Sequence, residues 1–331
     1  MISIFRQLKF LPPILVPLLI VPFWIPAFLT GNIVEVNHAM PLFELLNHLL
    51  GFYFPVKPVF AWLLLLFNAF YLNYLLDHYS LLTKKSFVPA LIYGLLMSLL
   101  PGFSQLHPLL PATTFLLLGF RRVMLTYRTG IDIADFFDAA FFFSVAGLFY
   151  FPSLVFIPML WVSLIVIRPF VWREWTGMLV GSVLPFVFCF SYYFVFDDLQ
   201  KMIQNKIFFP QDFVFVYPSQ FSMVLWITAG FTGFLFLLSG IKFLTHTPAK
   251  TIFSRNISVI MAWWLLLAAG SYGLAPDNSL AYFSFAAVPL TYYHAHWFLE
   301  MKKIWIAELM FLLFMLVMCA NHFPSLFPFI P

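Results

Sequence analysis

Long apolar stretches alternate with short polar ones along the whole chain of 331 residues. A helix needs about 20 apolar residues to cross the hydrocarbon core of a bilayer. The pattern therefore predicts an all-α fold, a polytopic transmembrane helical bundle of about eleven spans that forms a single integral membrane domain over residues 1–331. Residues 87–120 and 136–168 are each predicted to form a helical hairpin whose turn lies near one membrane face. The predicted spans are residues 10–29, 59–76, 87–101, 108–120, 136–151, 154–168, 177–196, 221–241, 257–275, 279–297 and 304–320.

The composition of the chain indicates the same class. The chain is 63% hydrophobic and 9% charged, with a mean hydropathy of +0.96, whereas soluble domains are about 45–50% apolar and about 25% charged. Cys189 and Cys319 both lie inside apolar segments, which argues against a disulfide framework or a metal site. No nucleotide or catalytic motif stands in the sequence. We therefore predict no metal site and no cofactor.

The basic residues lie at alternate ends of the apolar segments. If the N-terminus is inside, fourteen of the seventeen Lys and Arg residues fall on the cytoplasmic side, and only Lys57, Lys201 and Lys206 fall outside. Basic residues are retained on the cytoplasmic side of membranes, so we predict the N-terminus inside and residues 321–331 outside. The net charge of +4 then reflects orientation, and no nucleic-acid partner is predicted. The fourteen are Arg6, Lys9, Lys84, Lys85, Arg121, Arg122, Arg128, Arg168, Arg173, Lys242, Lys250, Arg255, Lys302 and Lys303.

Two predicted external segments are longer than a turn. Residues 30–58 hold apolar side chains on one side of a short helix, which is typical of a helix lying in the membrane interface. Glu35 and Glu44 of this segment are candidates for an external general base. Residues 197–220 mix charged and aromatic residues and are predicted to form an external cap loop.

Polar side chains within the predicted spans are the candidates for function inside the membrane. Asn68, Asn73 and Asp77 lie on the second span, with Asn73 and Asp77 four residues apart on one helical face. They could bond neighbouring helices or line a polar cavity. Glu308 stands near the start of the last span, close to Lys302 and Lys303. It could be a proton or ligand site, or a counter-ion at the interface.

Three carboxylates spaced three residues apart lead into the fifth span, the last of them Asp138. A row of this kind could bind a metal-bound phosphate. Arginines come shortly before it in the chain, and salt bridges to them are the simpler interpretation.

The most distinctive local sequence is RPFVWREW at residues 168–175, in the predicted cytoplasmic loop between the sixth and seventh spans. Two guanidinium groups, Arg168 and Arg173, could hold a phosphate in bidentate fashion. Trp172 and Trp175 could lie at the level of the lipid headgroups. The segment is thus a candidate site for an anionic lipid or a lipid-linked phosphate. The alternative is a basic aromatic elbow that only fixes topology.

Three segments together carry a resemblance: this elbow, NAFYLNYLLDHYSLLTKKSFVPAL early in the chain, and SFAAVPLTYYHAHWF near its end. With them the chain resembles an uncharacterised family of polytopic bacterial inner-membrane proteins, a domain of unknown function. The resemblance covers most of the chain and implies a multi-pass protein of the bacterial inner membrane, with no reaction and no catalytic residues. The layout is also similar to that of polyprenyl-phosphate-sugar-dependent glycosyltransferases, although the first loop lacks an adjacent acidic pair.

Three functions follow as hypotheses. The first is a protein of the cell envelope that binds or handles membrane lipids, a lipid-linked precursor or an envelope protein partner through the Arg168 and Arg173 elbow. The second is a membrane glycosyltransferase with a lipid-phosphate donor and Glu35 or Glu44 as base. The third is a proton-coupled transporter that uses Glu308, Asp138 or the face of Asn68 and Asn73.

Overall fold

A computed structural model describes residues 2–6, 11–30, 40–51, 56–100, 103–129, 133–167, 170–196, 223–246, 251–273 and 284–323. Its elements are helices throughout these ranges. In chain order they are α1 (Ile2–Phe5), α2 (Leu11–Thr30), α3 (Pro41–Leu49), α4 (Val56–His78), α5 (Val88–Met97), α6 (Leu109–Thr129), α7 (Ile133–Phe149), a 3-10 helix (Phe151–Phe156), α8 (Ile157–Ile167), α9 (Trp172–Val195), α10 (Met223–His246), α11 (Ile252–Gly273), α12 (Ala287–Glu300) and α13 (Ile304–His322).

The all-helical class is confirmed, and each predicted apolar segment contains a helix. Among the described residues, six helices are long and apolar enough to cross a membrane, namely α2, α4, α6, α9, α11 and α13. Apolar stretches of 10–17 residues occur at Val88–Met97, Phe151–Ile167 and Trp226–Ile241. A residue rises 1.5 Å along an α-helix, so stretches of this length cover only part of a hydrocarbon core about 30 Å thick.

Helix α3 is the short helix expected within residues 30–58. Pro41 stands in its first turn, where a missing backbone N–H removes no helical hydrogen bond. Gly51, with φ of 65°, follows its last turn and allows the chain to leave the helix in a left-handed conformation. The predicted cap loop at 197–220 lies outside the described residues.

Helices α5 and α12 form the centre of the bundle. All ten residues of α5 are buried, as are all residues of α12 except Leu290 and Glu300. α5 and α12 pack against each other, and α12 also contacts α10 and α11. These two helices are thus enclosed by longer ones.

Large apolar side chains remain exposed on the outer helices. Helix α9 presents Val183, Phe188 and Phe194 to the surroundings, with exposed fractions of 55%, 63% and 71%. Similar side chains are exposed on α2, α10, α11 and α13. Contiguous apolar surface of this extent is typical of contact with a membrane or a protein partner.

One end of the bundle gathers helix termini that carry basic residues, and we call it the basic end. There the backbone N–H of Phe87 donates to the carbonyl of Phe5 at 3.0 Å. The guanidinium of Arg6 donates to the carbonyls of Leu299 and Met301 at 2.6 and 3.1 Å. The amide of Asn256 in α11 donates to the carbonyl of Val166 at the end of α8, at 3.2 Å. Phe253, also of α11, contacts Tyr79 just after α4, and their ring centroids lie 6.0 Å apart.

The hairpin of α5 and α6 does not extend along the full length of its neighbours. In the segment that joins the two helices, the Ser104 hydroxyl donates to the carbonyl of Phe23 at 3.3 Å, and Phe23 lies well inside α2. Asn68, near the middle of α4, donates to the carbonyl of Leu110 at the start of α6, at 3.2 Å. The turn therefore lies beside the middle of α2 and α4, because a ten-residue helix is only about 15 Å long.

Candidate functional site

The elbow of residues 168–175 is described from Phe170 onward, and Arg168 lies outside the described residues. Val171 is extended and α9 begins at Trp172. Both Trp172 and Arg173 are exposed, and the guanidinium carbon of Arg173 lies 5.9 Å from the centroid of the Trp172 ring. At this distance a cation and an indole face attract each other. The pair holds a positive charge and an amphipathic ring together at the start of α9.

Trp175 has a different environment from Trp172. Its ring stacks on Trp161 of α8 with centroids 6.3 Å apart, and it contacts Phe170 at 5.2 Å. Trp175 is thus fixed between two elements, whereas Trp172 is 62% exposed. Within one motif, Trp175 therefore anchors the helix and Trp172 faces outward.

Glu174 is a residue of the elbow that sequence reasoning passed over. It is fully buried in the first turn of α9, where a carboxylate is favoured by the positive end of the helix dipole. Its position one residue after the exposed Arg173 places it about 100° further around the helix. The sequence signal for a buried carboxylate was that Glu174 is the one acidic residue among the basic and aromatic residues of RPFVWREW.

The polar row of α4 bonds the neighbouring helices. Besides the contact of Asn68 with α6, the amide of Asn73 donates to the Asp77 carboxylate at 3.1 Å and accepts from the backbone N–H of Ala90 in α5 at 3.3 Å. Asn68 and Asn73 are both buried. The row thus links α4 to α5 and α6, as expected of polar residues that join helices in a membrane.

Asp138 lies beside an arginine of α6. Arg122 contacts Asp138 at 3.1 Å and Asp135 at 3.5 Å. One guanidinium therefore bridges two carboxylates of the predicted row. In the part of the chain that the structure describes, no group of three or more His, Cys, Asp or Glu side chains could hold a metal ion.

Glu308 lies half-buried near the basic end. Its carboxylate accepts a hydrogen bond from the hydroxyl of Ser3 at 3.0 Å. The contact ties α13 to α1, two elements at opposite ends of the sequence. Glu308 thus takes part in closing the bundle.

Of the two acids that were predicted to be external, the structure describes only one. Glu44 is exposed on α3, and Glu35 lies outside the described residues. Helix α3 packs against α7, so Glu44 is held on a helix rather than on a free loop.

A buried polar cluster around α12 was not predicted. The hydroxyls of Ser258 and Tyr292 lie 2.8 Å apart, and the Tyr293 hydroxyl donates to the carbonyl of Ser258 at 3.0 Å. His296 contacts Glu300 at 3.1 Å and is 2% exposed. The segment TYYHAHWF signals such a cluster by its run of polar aromatic residues, but only the packing of α12 at the bundle centre shows that both its faces are buried.

Comparison with known proteins gave no match to a family model, to a curated protein or to a solved structure. The function is therefore argued from the residues themselves.

Proposed function

We propose that the chain is a multi-pass protein of the bacterial inner membrane, with eleven membrane-inserted segments and the N-terminus inside, that binds an anionic lipid or lipid-linked phosphate at the elbow of residues 168–175. One observation carries this proposal. An exposed Arg173 and Trp172 stand at the first turn of α9, and the rest of that helix exposes apolar side chains.

This arrangement matches the chemistry of a lipid at a membrane interface. Guanidinium groups bind phosphate through charge-assisted hydrogen bonds. Indole rings prefer the headgroup level, where one edge is apolar and the N–H is hydrated. Below them, the exposed Leu179, Val183 and Phe188 of α9 would contact lipid chains. Headgroup and chain contacts thus occur in the order in which a lipid presents them.

The elbow also has a fixed base. Trp175 is held between Trp161 and Phe170, so the first turn of α9 is anchored to α8. Asn256 joins the end of α8 to α11. A site on an anchored helix loses less conformational entropy on binding than a free loop would.

The lipid site is tested by replacing both arginines with glutamine. Each charge-assisted contact is worth about 1.5–3 kcal/mol, so Arg168→Gln/Arg173→Gln should weaken phosphatidylglycerol binding at least tenfold. The measurement is native mass spectrometry of the purified protein in detergent during titration with phosphatidylglycerol. Far-ultraviolet circular dichroism would check that the fold is kept.

Lys302→Gln/Lys303→Gln is the matched control, because it removes two exposed cations at the same end of the bundle. It should leave the affinity within about twofold. Unchanged affinity in the arginine variant, or equal loss in both, would contradict the elbow site and leave these arginines as determinants of topology.

The orientation is tested by reporter fusions. A reporter placed after Asn321 should be active outside the cytoplasm, and one placed within residues 242–255 should be active inside, because fourteen of seventeen basic residues fall on the inner side of this topology. A fusion within residues 197–220 serves as a second external point. The expected pattern does not depend on whether each hairpin crosses fully, since a hairpin returns the chain to the side from which it came. Equal signals after Asn321 and within 242–255 would refute the orientation.

A further inference from the structure

A cavity of about 430 Å³ lies between α5, α10, α11 and α12. It begins at the C-terminal end of α5, where Leu96, Leu99 and Phe103 form one wall. The cavity exists because α5 and α12 have 10 and 14 residues whereas α10 and α11 have 24 and 22. Helices α10 and α11 continue past the C-terminal end of α5, and the space between α10 and α11 stays open there. Its volume lies within the range of about 300–1,000 Å³ that holds small ligands.

Among the described residues, few polar groups line the cavity. Two threonines of α10 are its hydroxyl-bearing residues. The Thr232 hydroxyl donates to the carbonyl of Thr228 at 2.8 Å, and the Thr228 hydroxyl oxygen accepts from the Asn321 amide at 2.8 Å. A buried water needs two to four polar partners, and the only other polar group on the described lining side chains is the indole N–H of Trp226. The chemistry of the wall therefore selects a hydrocarbon.

The cavity is open toward the outer surface of the bundle. Trp226 lines it and is 51% exposed. Gly233 also lines it, and a Cβ atom built there would meet no atom within 4 Å. An occupant could therefore enter from the apolar surroundings along α10 without crossing a polar layer.

We infer that this cavity binds a single acyl chain of a membrane phospholipid. At about 30 Å³ for each group of the size of a water molecule, a space of 430 Å³ takes about fourteen methylene-sized groups. This is the size of one acyl chain. The site goes beyond the elbow, because it begins at the end of α5 that points away from the basic end.

Two glycines of α10 provide a matched pair of variants. Gly233→Leu adds a side chain into the cavity without meeting backbone. Gly240→Leu makes the same change on the same helix at a position that also has no atom within 4 Å of a Cβ, and Gly240 does not line the cavity. The two variants therefore separate occupation of the cavity from a general effect of leucine on α10.

The probe is phosphatidylglycerol with a photoactivatable diazirine at the end of one acyl chain, incorporated into vesicles with the full-length protein. After illumination, peptide mapping should find label within residues 286–290, because Ala286, Ala287 and Leu290 line the cavity, and Ala286 and Ala287 are hidden from the surrounding lipid. Gly233→Leu should lower this label at least tenfold, whereas Gly240→Leu should leave it within about twofold.

Label confined to exposed faces of α9 and α10 in the unmodified protein would overturn the inference, and so would full labelling of residues 286–290 in Gly233→Leu. If Gly233→Leu does not fold, a competition experiment on the unmodified protein tests the cavity instead. Excess myristic acid should suppress the label at residues 286–290 in the unmodified protein, and failure to do so would refute the site. Labelling there by a diazirine polyprenyl phosphate and not by phosphatidylglycerol would overturn the acyl assignment. Arg168→Gln/Arg173→Gln should leave cavity labelling unchanged, so the two sites can fail separately.

Discussion

Replacing Trp264 with alanine should destabilise the protein more than any other single change described here. Its ring is fully buried and lies 5.5 Å from the ring centroids of both Phe120 and Phe156. Its indole N–H donates to the carbonyl of Phe285 at 3.1 Å. Trp264 of α11 thus contacts α6, the 3-10 helix and the segment just before α12. Loss of a buried aromatic ring costs about 3–5 kcal/mol, and the freed carbonyl adds to that cost.

The preceding residue supplies the control. Trp263 belongs to the same helix but is 43% exposed on the outer surface. Trp263→Ala should change the free energy of unfolding by less than about 1 kcal/mol, since it leaves no cavity. The measurement is unfolding in mixed micelles as the fraction of denaturing detergent rises. Equal losses in the two variants would show that Trp264 is not a packing centre.

Gly181→Ala should be the second most damaging change. A Cβ atom at Gly181 of α9 would lie 2.5 Å from the carbonyl oxygen of Phe137 in α7. Because the obstacle is backbone, relief requires the two helices to move apart. Overpacking of this kind costs about 1–3 kcal/mol. Close approach through a small residue is a common basis of helix association in membranes.

Gly240→Ala is the matched variant, because a Cβ atom there meets no atom within 4 Å. It removes the flexibility of glycine from a helix without a clash and should be neutral or slightly stabilising. Thermal melting of both proteins in the same detergent would test the pair. A melting temperature of Gly181→Ala equal to that of Gly240→Ala would mean that α7 and α9 are less closely packed than described.

Hydropathy predicted where helices occur but not which ones are central. VPALIYGLLM of α5 and the middle of α9 are both continuous apolar sequences, yet α5 is wholly buried and α9 is largely exposed. In soluble proteins a polar face marks the outer side of a helix. Lipid chains are as apolar as leucine, so that mark is absent here. Length alone does not mark the central helices either, because α8 has 11 residues and still exposes Trp161 and Ile165.

The bonding partners of a polar side chain were easier to predict when they lie close to it in sequence. Asn73 and Asp77 bond each other four residues apart on α4, and Arg122 stands thirteen residues before Asp135. The bond between Ser258 and Tyr292 joins residues 34 positions apart, and no spacing rule reaches so far. The exposure of Arg173 beside the buried Glu174 likewise depends on how α9 is rotated against its neighbours, which packing decides.

The contact between Ser3 and Glu308 has a consequence for biogenesis. The two residues are 305 positions apart, and Arg6 similarly bonds the carbonyls of Leu299 and Met301. Domains generally form from the N-terminus as synthesis proceeds. Phe5 of α1 can bond Phe87 early, but the partners of Ser3 and Arg6 at residues 299–308 are made 293 to 305 residues later. A nascent chain halted before residue 299 would present α1 without these bonds. The packing of α1 is therefore completed only when α13 is synthesised and joins it at the basic end.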